Sequence, residues 1–396
     1  MSIASRRWLL AAPLAAAAGA GLAALSPGVR DAARESLRAL LFRSVSRPVP
    51  TGPHAVGFAP LTLDIGGSDG PVAVDLWYPA APAAAGLAGR LGRAATSLAY
   101  PNLAPAQHGV AFLAGAAPAP LILYEPAWFS TRRDNSFTLA NLASHGFVVA
   151  ALDDVVHYPG AAGPEAALRA MSLNYTSEAT MMPGLEVAGL RAAAAARVAG
   201  GVLDALTADS GWAPRLDPAR IGVLGYSFGG AVATELGCHD PRVTAVVNLD
   251  GSTYGEAGRQ GVTRPCLTLF SGNVFPTAQE LVDPDPAIRL EAKLCVIETT
   301  RQIARAGWPG QRCFLIDAAR HPDFSDALIV PALAAWRGPR RPDRHEVWSL
   351  INAYLVAFFG QSLRGEDPPL LHGPALPGAR TLLDARDHAP RTDVTG

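Results

Sequence analysis

Charge is scarce in this chain. Asp, Glu, Lys and Arg make up only 17% of the 396 residues, and Lys293 is the single lysine among 33 basic side chains. The formal net charge is −1, so the electrostatic footprint of a protein that binds nucleic acid or an anionic membrane is lacking. The near-exclusive use of arginine reads as compositional bias. Cysteine is also sparse. Cys238, Cys266, Cys295 and Cys313 are the only four, and none are in C-x-x-C spacing, so neither a zinc site nor a thioredoxin-like motif is suggested. Buried free thiols are expected; a disulfide is allowed but its pairing is not specified by spacing. No internal repeat is evident. Apolar residues, by contrast, reach 49%, enough to fill a core and to exclude a chain disordered throughout.

One apolar run is long. It extends from Trp8 to about Leu25, follows Arg6 and Arg7, and contains the small-residue site Ala18-Gly19-Ala20. These are the three parts of an export signal, and Ser5-Arg6-Arg7-Trp8-Leu9-Leu10 resembles a twin-arginine signal. An uncleaved membrane anchor is the alternative, since the run is just long enough to span a bilayer. Either way the folded part is expected to be exported, periplasmic or extracellular. Residues 26–50 read as a helix, Asp31 to Val45, and a linker through Arg47-Pro48-Val49-Pro50. A single domain is expected over 51–365. The tail, 366–396, is rich in Pro, Gly and charge and is expected to be disordered.

Within the domain, Leu61 to Ile65 and Val72 to Tyr78 partly alternate apolar with polar residues, as antiparallel edge strands do. The stretch from Ala80 to Ala119 has no sustained period and reads as a surface excursion. From Leu121 the pattern changes to short continuous apolar runs: Leu121 to Tyr124, Phe147 to Leu152, Ile221 to Tyr226, Val243 to Leu249, Cys266 to Phe270 and Cys313 to Ile316. Between them lie helical stretches at Phe137 to His145, Leu185 to Thr207, Gly229 to Leu236, Pro286 to Ala306 and His345 to Leu363. This alternation predicts an α/β fold with a mostly parallel central sheet covered by helices on both faces.

Gly225-Tyr226-Ser227-Phe228-Gly229 matches the G-x-S-x-G elbow, whose tight strand-to-helix turn excludes Cβ atoms on either side of the serine. With 39 glycines in the chain, chance alone gives ~0.2 such matches, so context decides. The context agrees: Ile221-Gly222-Val223-Leu224 leads in as a strand, and Gly229-Gly230-Ala231-Val232-Ala233 leads out with residues small enough for close helix packing. A serine hydroxyl needs a base within hydrogen-bond reach, and the base needs a carboxylate to orient it. In an α/β-hydrolase these follow in the order serine, acid, histidine at strand ends. Asp250 ends the run Val246-Val247-Asn248-Leu249, whereas Ser271-Gly272-Asn273 after the next strand offers no acid. His321 follows the last strand by a short loop, with Asp317 and Asp323 as neighbours able to tune it. His157, after the Phe147 to Leu152 strand, is the competing histidine and a candidate pocket residue. For an oxyanion hole, Phe228 supplies one backbone N–H. Pro126 has none, so Trp128 is favoured over Ala127 for the second. Glu125 either hydrogen-bonds near the nucleophile or holds its loop, and both readings stand. No metal or organic cofactor is implied.

Asp75-Leu76-Trp77-Tyr78-Pro79, Leu142-Ala143-Ser144-His145-Gly146-Phe147-Val148-Val149-Ala150, the elbow with Gly230, and His321-Pro322-Asp323-Phe324-Ser325-Asp326 together resemble the platelet-activating factor acetylhydrolase family of the plasma and isoform II type. The likeness runs from about Ala55 to Leu363 and includes an acid placed one strand earlier than in most hydrolases, as Asp250 is. The resemblance implies calcium-independent hydrolysis of short acyl esters through an acyl-enzyme, on a small-molecule or lipid ester, with peripheral membrane contact allowed and no nucleic-acid partner. The chain departs from that family at Glu125-Pro126-Ala127-Trp128, where a His-Gly segment is usual, and at Tyr226, where histidine is common. Those positions bear on the substrate, and both are candidate substrate contacts. Glu125 is also similar to the carboxylate position of dienelactone hydrolases, which use cysteine as nucleophile, and the Gly-Gly after Ser227 is shared with bacterial polyester hydrolases. A hydrolase-fold binding module is the non-enzymatic alternative.

Overall fold

The short apolar runs become the middle of one sheet. The computed structural model describes residues 47–66, 70–82, 106–113, 115, 117–158, 162–329 and 343–383. The expected export segment, the helix expected at Asp31 to Val45, much of the excursion after Ala80 and the last part of the tail lie outside the described residues. The strands are β1 (Ala55–Asp64), β2 (Pro71–Ala80), β3 (Gln107–His108), β4 (Ala119–Glu125), β5 (Val148–Leu152), β6 (Leu216–Tyr226), β7 (Val243–Leu249), β8 (Cys266–Ser271), β9 (Gln311–Ile316) and β10 (Ala379–Thr381). The helices are α1 (Ser136–Ser144), α2 (Pro164–Ala170), α3 (Glu178–Ala208), α4 (Phe228–His239), α5 (Gly255–Gln260), α6 (Pro286–Ile303) and α7 (Arg344–Arg364).

The sheet runs β10-β9-β8-β7-β6-β4-β5-β2-β1-β3. Its central pairs, from β5 through β4 to β9, are all parallel. Strands buried on both faces gain by being apolar at every position; all seven residues of β4 and all five of β5 are buried. The β1–β2 hairpin is antiparallel over ten residue pairs. That long register carries Gly57, Ala59 and Pro60, poor strand formers, so β1 begins at Ala55 rather than at Leu61. On one face α1 and α7 cover Ile122, Tyr124, Val149 and Leu224 with Phe137, Tyr354, Phe358 and Phe359. On the other, α3 and α4 cover Leu121, Leu123, Val223 and Val246. The alanines of α3 (Ala188, Ala192, Ala195, Ala199) let it lie close to the sheet. This is the α/β-hydrolase fold.

Two sequence expectations change. Helix α3 starts at Glu178, seven residues before the expected Leu185, because Ser177 and Thr180 close a capping box that starts the helix ahead of Pro183, which lies inside it. The expected disorder of 366–396 is corrected for residues 366–383. Leu371 and Leu382 are buried, and β10 pairs antiparallel with β9. Leu382 N–H donates to Cys313 O (2.9 Å), and its side chain packs with Phe270, Ile303 and Leu315. A few apolar anchors inside a Pro- and Gly-rich tail are enough to cover the open edge of β9. All four cysteines are free thiols, and burial pushes the pKa of Cys238 up to about 11 and that of Cys266 to about 12. Among the described residues no helix is long and apolar enough to cross a membrane.

Leu382→Ala is expected to destabilise the fold by about 2–5 kcal/mol through the cavity it leaves, read as a lower midpoint in urea denaturation with an unchanged slope.

Candidate active site

The site lies where the strand order reverses. From β4 the chain builds β5 on one side, then returns through α3 to lay β6 on the other, and ligands of open parallel sheets bind in the crevice at such a switch point. Glu125 ends β4 opposite Gly225 of β6, so the segments leaving both strands flank the crevice.

Ser227 turns the chain from β6 into α4 with φ 57° and ψ −120°, a conformation that residues with a Cβ rarely adopt. Its N–H donates to Leu249 O and its carbonyl accepts from Gly230 N–H, both at 2.9 Å. A Cβ on Gly225 would lie 1.9 Å from Gly229 O, and one on Gly229 2.0 Å from Glu125 O. Both glycines are therefore required, and the loop after β4 is held directly against the start of α4. Phe228, as the first residue of that helix, has an N–H without an intrahelical acceptor.

The hydroxyl does not stand alone. Ser227 Oγ lies 2.8 Å from His321 Nε2, and His321 Nδ1 lies 2.7 Å from Asp250 Oδ2. A carboxylate only accepts, so Nδ1 carries the proton and Nε2 is left to accept from the serine. Asp250 is also held in a left-handed conformation (φ 57°). Its Oδ1 accepts from Ser271 N–H at 2.5 Å, and its carboxylate is buried. Asn248 braces the turn with two bonds to Gly251, each 2.8 Å. Ser227 and His321 stay partly open to solvent. Ser227, His321 and Asp250, expected as a set, are brought together.

Buried charges fix the strap after β4. Asp75 pairs with Arg132 Nε (3.1 Å) and Arg133 Nε (2.5 Å), and Arg132 also pairs with Asp153. Asp154 Oδ2 accepts from Phe129 N–H at 2.5 Å. Tyr124 donates its hydroxyl to Asp134 (2.5 Å). The strap is joined to the His321 loop: Asn135 donates to Phe324 O (2.7 Å), and Asp326 accepts from Ser136 N–H (2.9 Å) and Oγ (2.6 Å). Trp128 is stacked on Phe228 at 4.3 Å and 14°, which brings the two expected oxyanion residues side by side.

Other expected residues have different work. Tyr226, expected at the substrate, is buried and donates its hydroxyl to His321 O (3.0 Å); strand alternation turns it to the α1–α7 face, where it supports the histidine loop. His157 lies 3.1 Å from Phe129 O through Nε2 and so supports the strap rather than the serine. Asp323 accepts from Arg320 N–H (2.8 Å), one residue from His321, whereas Asp317 pairs with Arg380 of β10. Asp154 and Asp326 were not foreseen; Asp153-Asp154 at the end of β5 carried the same signal as Asp250 at the end of β7. Glu125 is buried, and its Oε1 has no hydrogen-bond partner among the described residues. Burial, then the nearby Asp154, raises its carboxyl pKa well above the usual range. Among the described residues no group of three or more His, Cys, Asp or Glu side chains is placed to hold a metal ion.

No family model matches the chain. It is similar to a probable 1-alkyl-2-acetylglycerophosphocholine esterase of Arthroderma benhamiae, 29% identical over 173 residues, which are 40% of this chain and 41% of that protein. The chain thus matches less than half of that relative's length. It also resembles the solved ferulic acid esterase from Streptomyces cinnamoneus, with a TM-score of 0.59 and 24% identity over 84% of this chain and 98% of the other. That likeness is one of fold.

Glu125 generates a pH prediction. The folded chain keeps the carboxyl proton and the unfolded chain releases it, so between the ordinary carboxyl pKa and the raised folded value each pH unit upward costs the fold about 1.4 kcal/mol. Below the ordinary value both states hold the proton and the cost vanishes. Glu125→Gln is therefore expected to raise the thermal midpoint at pH 7 and to leave it unchanged near pH 4, as read by calorimetry at both pH values.

Proposed function

We propose that the chain is a serine carboxylic-ester hydrolase that works through an acyl-enzyme. The observation that carries this reading is the continuous relay from Ser227 Oγ through His321 to the buried Asp250, set on a strained elbow at the switch point. Ser227 Oγ attacks the ester carbonyl as its proton passes to His321 Nε2. Asp250 holds the ring in the receptive tautomer and stabilises the imidazolium. The N–H groups of Phe228 and Trp128 hold the oxyanion. His321 then returns the proton to the leaving alcohol, and water repeats the sequence to free the acid.

The substrate class we propose is a short-chain acyl ester, in line with the acetyl ester in the name of the Arthroderma relative. Packing beside the elbow supports it. Phe228, Trp128 and Tyr254 form one aromatic group, with Tyr254 6.2 Å from Phe228 and 6.4 Å from Trp128. We take the aromatic group at the residue next to Ser227 to bound the acyl site and to favour a small acyl group over a long one. Export, on the strength of the Arg6-Arg7 segment and its apolar run, belongs to the same proposal.

A fluorophosphonate probe is expected to label the wild type, and Ser227→Ala to lose the label and all turnover; a wild type that stays unlabelled would favour a binding module instead. Asp250→Asn is expected to keep the fold and to lower kcat by roughly 10⁴-fold, because the amide favours the wrong tautomer. On p-nitrophenyl esters, kcat/KM is expected to fall steeply from acetate and butyrate to decanoate, and equal or better rates on the long ester would overturn the short-chain assignment.

A further inference from the structure

One fully buried cation touches both sides of the serine and does not belong to the relay. Arg191, on α3, has a side chain without solvent exposure. Its Nη2 donates to Asp154 Oδ1 (2.8 Å) and Oδ2 (2.6 Å), and its Nε donates to Arg169 O (2.8 Å). The guanidinium lies 4.6 Å from the ring centre of Phe228, 5.4 Å from that of Trp128 and 5.5 Å from that of Phe129. These rings come from two separate elements: Phe228 opens α4, while Trp128 and Phe129 belong to the strap after β4. The Asp154 that Arg191 binds is the same carboxylate that accepts from Phe129 N–H, at a residue held at φ 58°.

Resting on the esterase reading above, we infer that Arg191 is the positioning residue of the oxyanion hole. The two backbone donors proposed for that hole sit on elements with no covalent tie near the site. Arg191 joins them through one cation packed beside the stacked pair, 4.6 Å from the ring centre of Phe228 and 5.4 Å from that of Trp128, and through Asp154 it fixes the strained residue beside Trp128. A guanidinium suits this place because it is broad enough to pack against several rings at once while its N–H groups bind a carboxylate. An ammonium keeps the charge and loses that breadth of contact. Arg191 has no route to substrate, since its side chain is closed off from solvent. Its effect is on the alignment of the N–H groups with the developing negative charge, where a displacement of about 1 Å costs on the order of 100-fold in rate.

The test is steady-state kinetics on p-nitrophenyl acetate, with sites counted by fluorophosphonate labelling to completion. Arg191→Lys is expected to lower kcat per labelled site by about 10- to 100-fold with KM within about threefold of the wild type. Phe228→Leu, which leaves the Arg191–Asp154 pair in place, is expected to shift kcat in the same direction and keeps the inference testable should Arg191→Lys fail to fold. A purely structural role for Arg191 would reduce the number of labelled sites and leave kcat per site unchanged. A per-site kcat equal to the wild type in either variant overturns the inference. A wild type that neither labels nor cleaves the ester removes the esterase reading and this inference together, whereas a working wild type beside unchanged variants removes only the role of Arg191.

Discussion

The backbone at Ser227 is the constraint around which the site is built. A non-glycine residue held near φ 57° costs about 1–3 kcal/mol, and the surrounding structure has to over-determine it. Here the bond to Leu249 O, the bond from Gly230 N–H and the close approach of Gly225 and Gly229 do so. The result is a hydroxyl lifted clear of the sheet at the mouth of a helix whose first N–H, that of Phe228, has no intrahelical acceptor. Among the described residues, Ser227, Asp250 and Phe129 are the three non-glycine positions with positive φ. All three fall at this crevice, on the Ser227 turn, the Asp250 turn and the strap. Strain is confined to where geometry has to be held against relaxation.

The placement of charge follows the same logic. A chain with few charged residues buries Asp75, Asp153, Asp154, Arg191, Asp323 and Asp326 in one neighbourhood. Desolvating them is costly unless each is paired or hydrogen-bonded. Their partners are mostly strap and loop groups: Arg132, Arg133, and the N–H groups of Phe129, Ser136 and Arg320. Loops carry no ladder of their own, so these bonds hold the strap after β4 and the loop of His321 in fixed relation to the elbow. Glu125 differs from these residues: its buried carboxyl has no counter-ion among the described residues, and burial raises its pKa well above the usual range.

Much of this was legible from residue order. The six apolar runs from Leu121 to Ile316 mark strands buried on both faces, because only such strands have no use for a polar residue. The elbow was readable because steric exclusion of Cβ leaves a glycine signature, and Asp250 and His321 were readable because one directly follows, and the other follows by a short loop, a run that had to be a strand. Less was visible where pairing overrides local preference. β1 holds Gly57 and Pro60 by its register with β2, α3 starts before Pro183 because Ser177 caps it, and β10 is specified by a few buried side chains in a stretch whose composition reads as disordered.

By itself, then, the sequence determined the fold class, the tight turn at Ser227 and the placement of Asp250 and His321 after strands, since burial and turn chemistry are local properties that spacing records. Only the tertiary structure decided that Tyr226 supports the histidine loop, that Asp154 and Asp326 tie the strap, and that Arg191 meets Phe228 and Trp128 from a third element. Those contacts join residues up to 190 positions apart, and what brings such residues together is the path of the loops across the sheet, which no local pattern encodes.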